Sequence, residues 1–354
     1  MYVKKIEYYN FRNIERAVIE PSESVTLLYG KNAEGKTNAL EGIYLFAHGR
    51  SFRASKEKEL VKFGSDFSRV KLTFDDSKRE NTLEIRIASD GRRVLIRNGA
   101  PEKRLSDFVG CFRAVLFCPQ HLSIVCQGPS ERRQFIDAAL TQLSSGYVRA
   151  LQRYNSQLSE RNMLIKSYYD NPKGFEDTID VWSDALAESG AVVARQRYEY
   201  VERLNVEVKK IFAEMTDGRE VPDLKYTAPL TADGYREALR SSREREIKAR
   251  TTLFGPHRDD IAITINSREA RLYASQGQQR SLALAMKLAE GEISKNECGE
   301  YPVFLFDDVM SELDENRRAF LLRGMEKKQV IMTSCDRLDG DYRAIEVKNG
   351  VYYL

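Results

Sequence analysis

Histidine and tryptophan are scarce in this 354-residue chain, at three and one. His48, His121 and His257 are too scattered for a histidine-based metal site. The five cysteines, Cys111, Cys118, Cys126, Cys298 and Cys335, are odd in number and form no CxxC pair. That argues against a disulfide scaffold or a zinc site and for reduced thiols. No apolar run approaches the ~18 residues of a membrane span. Met1-Tyr2-Val3-Lys4-Lys5 has no apolar run behind its charges, unlike a secretory leader. Net charge is nearly absent: 56 Lys+Arg against 53 Asp+Glu leaves +3. A histone-like chain that holds nucleic acid by bulk charge is excluded. There is no internal repeat and no low-complexity tract. These absences predict a cytoplasmic protein with no membrane partner.

What remains is an ordinary globular composition, with 42% hydrophobic and 31% charged residues. The length predicts roughly two domains. Strands are expected at 2–9, 24–29, 67–74, 81–87, 92–97 and 112–117, with a hairpin turn at Asn98-Gly99 and a helix at 37–47. From 130 to 217 only Pro172 interrupts a run rich in Ala, Leu, Gln, Arg and Glu. It reads as two long helical halves broken at Asn171-Pro172-Lys173-Gly174, without the sustained heptads of a long coiled coil. After Pro222 the chain reads as looser. Strands are expected again at 261–265, 271–274, 302–306 and 329–333, with helices at 278–295 and 315–326 and a terminal hairpin at Asn349-Gly350.

Gly30-Lys31-Asn32-Ala33-Glu34-Gly35-Lys36-Thr37 fits G-x-x-x-x-G-K-[ST] between an expected strand and an expected helix. The glycines let the backbone curl so that successive N–H groups face phosphate oxygens, and the helix N-terminus adds its positive dipole end. Lys36 supplies a point charge for the β- and γ-phosphates, and the Thr37 hydroxyl is placed for Mg²⁺. Val303-Phe304-Leu305-Phe306-Asp307-Asp308 is an apolar strand ending in carboxylates, at the sheet edge where ligands bind. Asp307 would hold Mg²⁺ and Asp308 would polarise the attacking water. The alternative for the pair is a plain Asx cap or turn. Ser275-Gln276-Gly277-Gln278-Gln279-Arg280 opens a helix, either as a second anion site or as a simple Ser N-cap.

This ordered set resembles the RecF family of bacterial recombination-repair ATPases, related to the heads of SMC proteins and to ABC ATPases. The likeness includes Asn10-Phe11-Arg12-Asn13, Gly49-Arg50-Ser51-Phe52-Arg53, Gly128-Pro129, and Arg132-Arg133-Gln134-Phe135-Ile136-Asp137. It continues with Gly255-Pro256-His257-Arg258-Asp259-Asp260 and Asp307-Asp308-Val309-Met310-Ser311-Glu312-Leu313-Asp314. The resemblance implies an α/β, ABC-type, SMC-head-like P-loop ATPase domain with a mixed sheet, plus an inserted α-helical arm domain. The head would comprise 1–125 and 246–354, and the arm 126–245.

The resemblance also implies roles. ATP would be sandwiched in a homodimer, with Ser275, Gln276, Gly277 and Gln278 reaching the γ-phosphate of the opposite copy. Ser311, Glu312, Leu313 and Asp314 would form the D-loop at that interface, and Arg12 would approach the nucleotide. Gln120, in Pro119-Gln120-His121-Leu122, stands where relatives more often carry an acidic pair, and is a candidate Q-loop residue sensing Mg²⁺. Thr333-Ser334-Cys335 occupies the place of a transporter's switch histidine, and sequence does not establish His257 as a substitute. An aspartate at 308 and no switch histidine imply slow, DNA-stimulated hydrolysis acting as a switch.

The implied task is binding gapped or single-strand/duplex junction DNA near the nucleoid and helping a RecR-like mediator load recombinase. Candidate phosphate contacts are Arg50, Arg53, Lys56 and Lys58, then Arg132 and Arg133, then Arg240, Arg243, Arg245, Lys248 and Arg250. The alternative is a solvated charged face, because Glu57, Glu131, Glu244 and Glu246 interrupt these runs. Competing functions are a transporter ATPase subunit, which needs a membrane-coupling surface and usually a switch histidine, and an ATP-gated nuclease, which needs a further metal-binding domain. A purely structural ATP-binding arm protein is a fourth.

Overall fold

Strand alternation and helix signals resolve, in the computed structural model, into fifteen strands and ten α-helices among the described residues, 1–338, 340 and 342–353. In chain order these are β1 (Tyr2–Phe11), β2 (Ile14–Ile19), β3 (Val25–Tyr29), α1 (Lys36–His48), β4 (Phe67–Asp75), β5 (Glu80–Ala88), β6 (Arg93–Arg97), β7 (Ala100–Glu102), α2 (Leu105–Phe108) and β8 (Ala114–Phe117). Next come α3 (Ser123–Cys126), α4 (Pro129–Leu143), α5 (Ser145–Lys166), α6 (Pro172–Thr216), β9 (Pro222–Thr227), α7 (Ala232–Ala249), β10 (Asp260–Ile265), β11 (Arg268–Glu269) and α8 (Ala270–Tyr273). The last are α9 (Gln276–Cys298), β12 (Val303–Phe306), α10 (Glu315–Gly324), β13 (Val330–Ser334), β14 (Arg343–Lys348) and β15 (Val351–Tyr353). The chain divides into two compact units, Met1–Leu122 with Arg280–Leu354, and Ser123–Gln279. The expected arm, 126–245, falls within the second unit, which also takes in the start of the expected C-terminal head segment.

The first unit holds two six-stranded sheets. One is antiparallel, in the order β2-β1-β4-β5-β6-β7. The other runs β15-β14-β3-β13-β12-β8, parallel from β14 to β8 with β15 antiparallel at its edge. Strands β8, β12 and β13 are buried at every residue, which is why β8 and β12 read as short, wholly apolar runs and β13 as one that ends in Thr333-Ser334. Helix α1 is buried continuously from Ala39 to His48 and shares one apolar core with both sheets. A helix apolar all round is a core helix rather than a surface one. The turn at Asn98-Gly99 places both residues at positive φ, as a tight hairpin requires.

The second unit is a helical body with a small sheet, β11-β10-β9. Its spine is α6, 45 residues long, which spans roughly 67 Å at ~1.5 Å per residue. Buried residues recur along α6 in steps of three and four: Phe175, Ile179, Ser183, Leu186, Gly190, Val193, Arg197, Val201, Leu204, Val208, Phe212. That stripe packs against α5, α7 and β9.

Several expectations need correction. The helical run is three helices, because Ser144 leaves helical geometry and caps α5 through its hydroxyl, which accepts from Tyr147 N. The segment after Pro222 is ordered as β9, whose alternate residues are buried, and the charged run that follows is helix α7. Residues 271–274 were expected as a strand; after the two-residue β11, 271–273 belong instead to helix α8, and Ala274 follows its end. β2 escaped notice because Glu15 and Arg16 break its apolar alternation.

A buried ion pair fastens the second unit. Arg161 and Glu246, each 1% exposed, meet at 2.7 Å between α5 and α7. Arg161 also donates to Ser183 Oγ and Thr252 Oγ1, and Glu246 accepts from Leu253 N. Removing one partner strands a buried charge. Glu246→Ala should lower unfolding stability by about 3–5 kcal/mol in urea melts followed by circular dichroism, and Arg161→Met/Glu246→Leu by less. Equal losses in the two variants would contradict this.

Candidate nucleotide site

The parallel sheet gathers the ends of β3, β8, β12 and β13 along one edge, where ligands of open α/β sheets bind. The loop 30–37 leaves β3 there and enters α1. Gly30, Ala33 and Gly35 all have positive φ. A Cβ on Gly35 would stand 2.9 Å from Asn13 Oδ1, and one on Gly30 would strike the Val347 carbonyl. Glycine is thus required at both fixed positions by backbone conformation and by close neighbours. Lys36, 7% exposed, folds its ammonium back onto the Gly30 and Lys31 carbonyls.

The loop is braced from outside. Asn13 Nδ2 donates to Glu34 O (3.2 Å), Gly350 N donates to the same oxygen (2.8 Å), and Tyr352 OH donates to Gly35 O (3.0 Å).

Asp307, at the end of β12, accepts from Thr37 Oγ1 at 2.7 Å and from Thr333 Oγ1 at 2.9 Å. Its N–H donates to Phe117 O. Burial pushes its carboxyl above the usual range, against the opposing pull of the two hydroxyls and the nearby positive charge of Arg53. Thr333 Oγ1 also accepts from Asp308 N at 2.9 Å, so one hydroxyl holds both aspartates. Asp308 has φ 52°, a left-handed conformation that Asp tolerates, and its carbonyl accepts from Ser311 Oγ. The structure therefore brings Lys36, Thr37, Asp307 and Asp308 to one place. A hydroxyl and a carboxylate oxygen converging there are hard donors of the kind Mg²⁺ takes. Gln120, exposed, follows β8 at the same edge.

Arg12 is committed elsewhere in this conformation. Its Nε and Nη2 grip Glu41, which is fully buried, at 2.8 and 2.7 Å, and Nη1 donates to Glu59 O. Ser51 also donates to Glu41. Arg50, Arg53, Lys56 and Lys58 are exposed, with Arg53 Nη1 donating to Asn38 Oδ1 beside the loop.

In the second unit, Ser275 and Gln278 form a reciprocal capping box: Ser275 N donates to Gln278 Oε1, and Gln278 N donates to Ser275 Oγ. Gln278 Nε2 reaches Glu220. Ser275 and Gln276 remain exposed, and Gly277 follows in the first turn of α9. In the first unit, Glu312 pairs with Arg280, Leu313 is buried, and Asp314 caps α10 by accepting from Arg317 N.

Arg132 is corrected as a DNA contact. It is 5% exposed and grips Asp260 through Nε and Nη2 at 2.7 and 2.9 Å. Arg133 is half-buried and donates to Asp259 O. Asp259 accepts from Tyr226 and Tyr235, while Arg197 joins Asp137 to the Pro256 carbonyl. Arg243 is paired with Asp180 and Glu176. The two arginine- and aspartate-rich motifs thus lock to each other. His257 belongs to the same lock: Nδ1 meets Tyr154 OH and Nε2 meets Thr252 O.

Sequence reasoning missed Glu41 and Tyr352, and gave Thr333 no part in holding the two aspartates. The available signals were a hydroxyl ending an apolar strand and a carboxylate within an otherwise apolar helix. Among the described residues there is no cluster of three or more His, Cys, Asp or Glu that could hold a metal, and no helix long and apolar enough to cross a membrane.

The RecF/RecN/SMC N terminal domain model matches residues 2–340. The DNA replication and repair protein RecF of Acetivibrio thermocellus is 40% identical over 370 residues, covering 100% of both chains. Its namesake from Clostridium tetani is 38% identical over 365 residues, covering 99% of both. A solved structure described as the recombination mediator protein RecF-ATP in the RecFOR pathway superposes with TM-score 0.93 at 36% identity, covering 99% of this chain and 96% of that one. An Smc head bound to the C-winged helix domain of ScpA shares the fold, with TM-score 0.58 at 18% identity over 100% of this chain and 96% of its own.

All three histidines are pushed below their usual range, chiefly by burial, with His257 at about 4. The folded protein then binds fewer protons than the unfolded chain, whose histidines titrate near ~6.5. Stability present above that pH is lost as pH falls through it. The unfolding midpoint should drop between pH 6.5 and 5, with His257 contributing at most about 1.4 kcal/mol per pH unit. His257→Gln should flatten the slope; an unchanged slope would contradict the assignment.

Proposed function

The chain belongs to the RecF family, within the wider group that includes SMC heads, and we propose that it is an ATP-dependent DNA-binding protein of recombinational repair. The observation that carries this reading is the convergence of Lys36, Thr37, Asp307 and Asp308 around one glycine-bearing loop. Gly30, Lys31, Asn32, Ala33, Glu34 and Gly35 would wrap the phosphates with backbone N–H groups, and Lys36 would leave its two carbonyls for them. Thr37 and Asp307, with Gln120 at the same edge, would hold Mg²⁺, which neutralises phosphate charge when bound. Asp308 would orient the attacking water. Arg12 would reach the nucleotide on exchanging Glu41 for a phosphate.

Two copies would close across ATP. Ser275, Gln276, Gly277 and Gln278 of one would meet the γ-phosphate on the other, beside a D-loop contact through Ser311, Glu312, Leu313 and Asp314. The exposed Arg50, Arg53 and Lys56 would then face DNA phosphates at a gap or single-strand/duplex junction, where a RecR-like mediator is recruited. Slow hydrolysis would reopen the pair.

Light scattering on blunt duplex and on gapped DNA, with and without ATP, tests the dimer and its DNA choice together. Lys36→Arg should need roughly tenfold more ATP to dimerise, because a planar guanidinium replaces a compact ammonium. Dimerisation indistinguishable from the unaltered protein would rule out the sandwich. Asp308→Asn should lower ATP turnover about a hundredfold while leaving dimerisation intact. Unaltered turnover would remove Asp308 from the mechanism.

A further inference from the structure

Antiparallel sheets that show one face to water normally carry polar side chains on it. The outer face of the first unit's antiparallel sheet carries arginines but also exposes large apolar side chains among them. Tyr9, Phe67, Val18 and Val94 are 38%, 44%, 51% and 50% exposed. Cross-strand register places Arg16, Tyr9, Arg69, Arg86 and Val94 side by side on five consecutive strands. With strands ~4.8 Å apart, the three arginines span roughly 14 Å. Phe67 lies beside Tyr9, ring centroids 5.4 Å apart and tilted by 33°. Tyr9, Val18, Phe67 and the three arginines line a groove of about 470 Å³, in which Glu7 is the one carboxylate. Among the described residues, Arg16 and Arg69 have no ion-pair partner, while Arg86, itself exposed, meets the half-buried Glu84.

We infer that this sheet face is a binding platform for single-stranded nucleic acid, with bases stacked on Tyr9 and Phe67 and phosphates held by Arg16, Arg69 and Arg86. The chemistry favours a nucleic acid over an acidic peptide because exposed aromatic rings on adjacent strands, flanked by arginines, match the stacking-plus-phosphate pattern of single-strand binders. A peptide would use the charge but has no need of open ring faces. The inference rests on the DNA-binding reading above and deepens it: the single-stranded arm of a junction would have its own seat. That seat lies wholly on one copy, apart from the phosphate loop's chemistry.

The test uses the full chain and its Lys36→Arg variant, with an oligo(dT) carrying 5-iodouracil. Photocrosslinked peptides are mapped by mass spectrometry, and affinities for oligo(dT) and blunt duplex are read by fluorescence anisotropy. Crosslinks are expected at Tyr9 or Phe67 in both proteins, because the face needs neither ATP nor a second copy. Tyr9→Leu/Phe67→Leu keeps the apolar cover but removes the ring faces. It should weaken oligo(dT) binding roughly tenfold or more and leave ATP-dependent binding of blunt duplex unchanged. Arg69→Ala should also reduce the salt slope of oligo(dT) binding by about 0.7. Crosslinks confined to other peptides, unchanged affinity in the leucine variant, or no oligo(dT) binding at all would each overturn the platform. Loss of an acidic protein's binding in the leucine variant, with oligo(dT) affinity intact, would assign the face to a protein and overturn it equally. Failure of the ATP-gated reading shows separately, as equal duplex binding by the unaltered and Lys36→Arg proteins.

Discussion

One desolvated carboxylate ties the nucleotide site together. Asp307 is held by two hydroxyls that come from opposite ends of the chain, Thr37 at the head of α1 and Thr333 at the end of β13. Burial makes its negative charge expensive, and hydrogen bonds are what keep such a group in place. Everything that positions the site serves this meeting. The sheet order puts β3, β13 and β12 next to one another, all parallel, so that loop, hydroxyl and aspartate leave from the same edge. The Thr333 hydroxyl then relays the arrangement to Asp308 through its backbone N–H. The aspartate's left-handed backbone turns the chain away from the strand at that point.

Much of this is legible in the sequence, for a physical reason. The phosphate loop needs glycine at fixed positions, and buried parallel strands need unbroken apolar runs, so both leave local marks. The helix after Tyr29 and the strand at Val303–Phe306 are readable for that reason. What was not readable depends on partners distant in sequence. Thr333 gains its role only because β13 pairs with β12, and Glu41 only because Arg12 closes over it. The strand expected at 271–274 failed because Arg271-Leu272-Tyr273 carries no strong mark of either strand or helix, and the segment packs as a short helix against α3 and β10, elements that its own residues do not announce.

The second unit shows how charge misleads when read along a line. Arg132 and Arg133 look like a basic entrance, yet one is sealed against Asp260 and the other against a backbone carbonyl. The motifs they belong to close a polar lock with Tyr226, Tyr235 and Arg197 around Asp259 and Asp137. A buried network of this density fixes geometry because every member must find its partner. The antiparallel sheet of the first unit is the opposite case. Arg16, Arg69 and Arg86 lie far apart in sequence and would not be grouped by any local pattern, yet register sets them in one row.

The strand order has a consequence for how the protein is made. β3 carries the phosphate loop and ends at Tyr29, but its neighbours β13 and β14 begin at Val330 and Arg343. At ribosomal speeds of roughly 5–20 residues per second, the nascent chain waits on the order of 15–60 s before β3 can be flanked. During that interval the antiparallel meander and the 123–279 segment emerge with their mainly local pairings, while β3 has two open edges. Its five-residue length and the Pro21 and Ser22 before it limit what those edges can recruit. The first functional loop to be synthesised is thus among the last to acquire its shape.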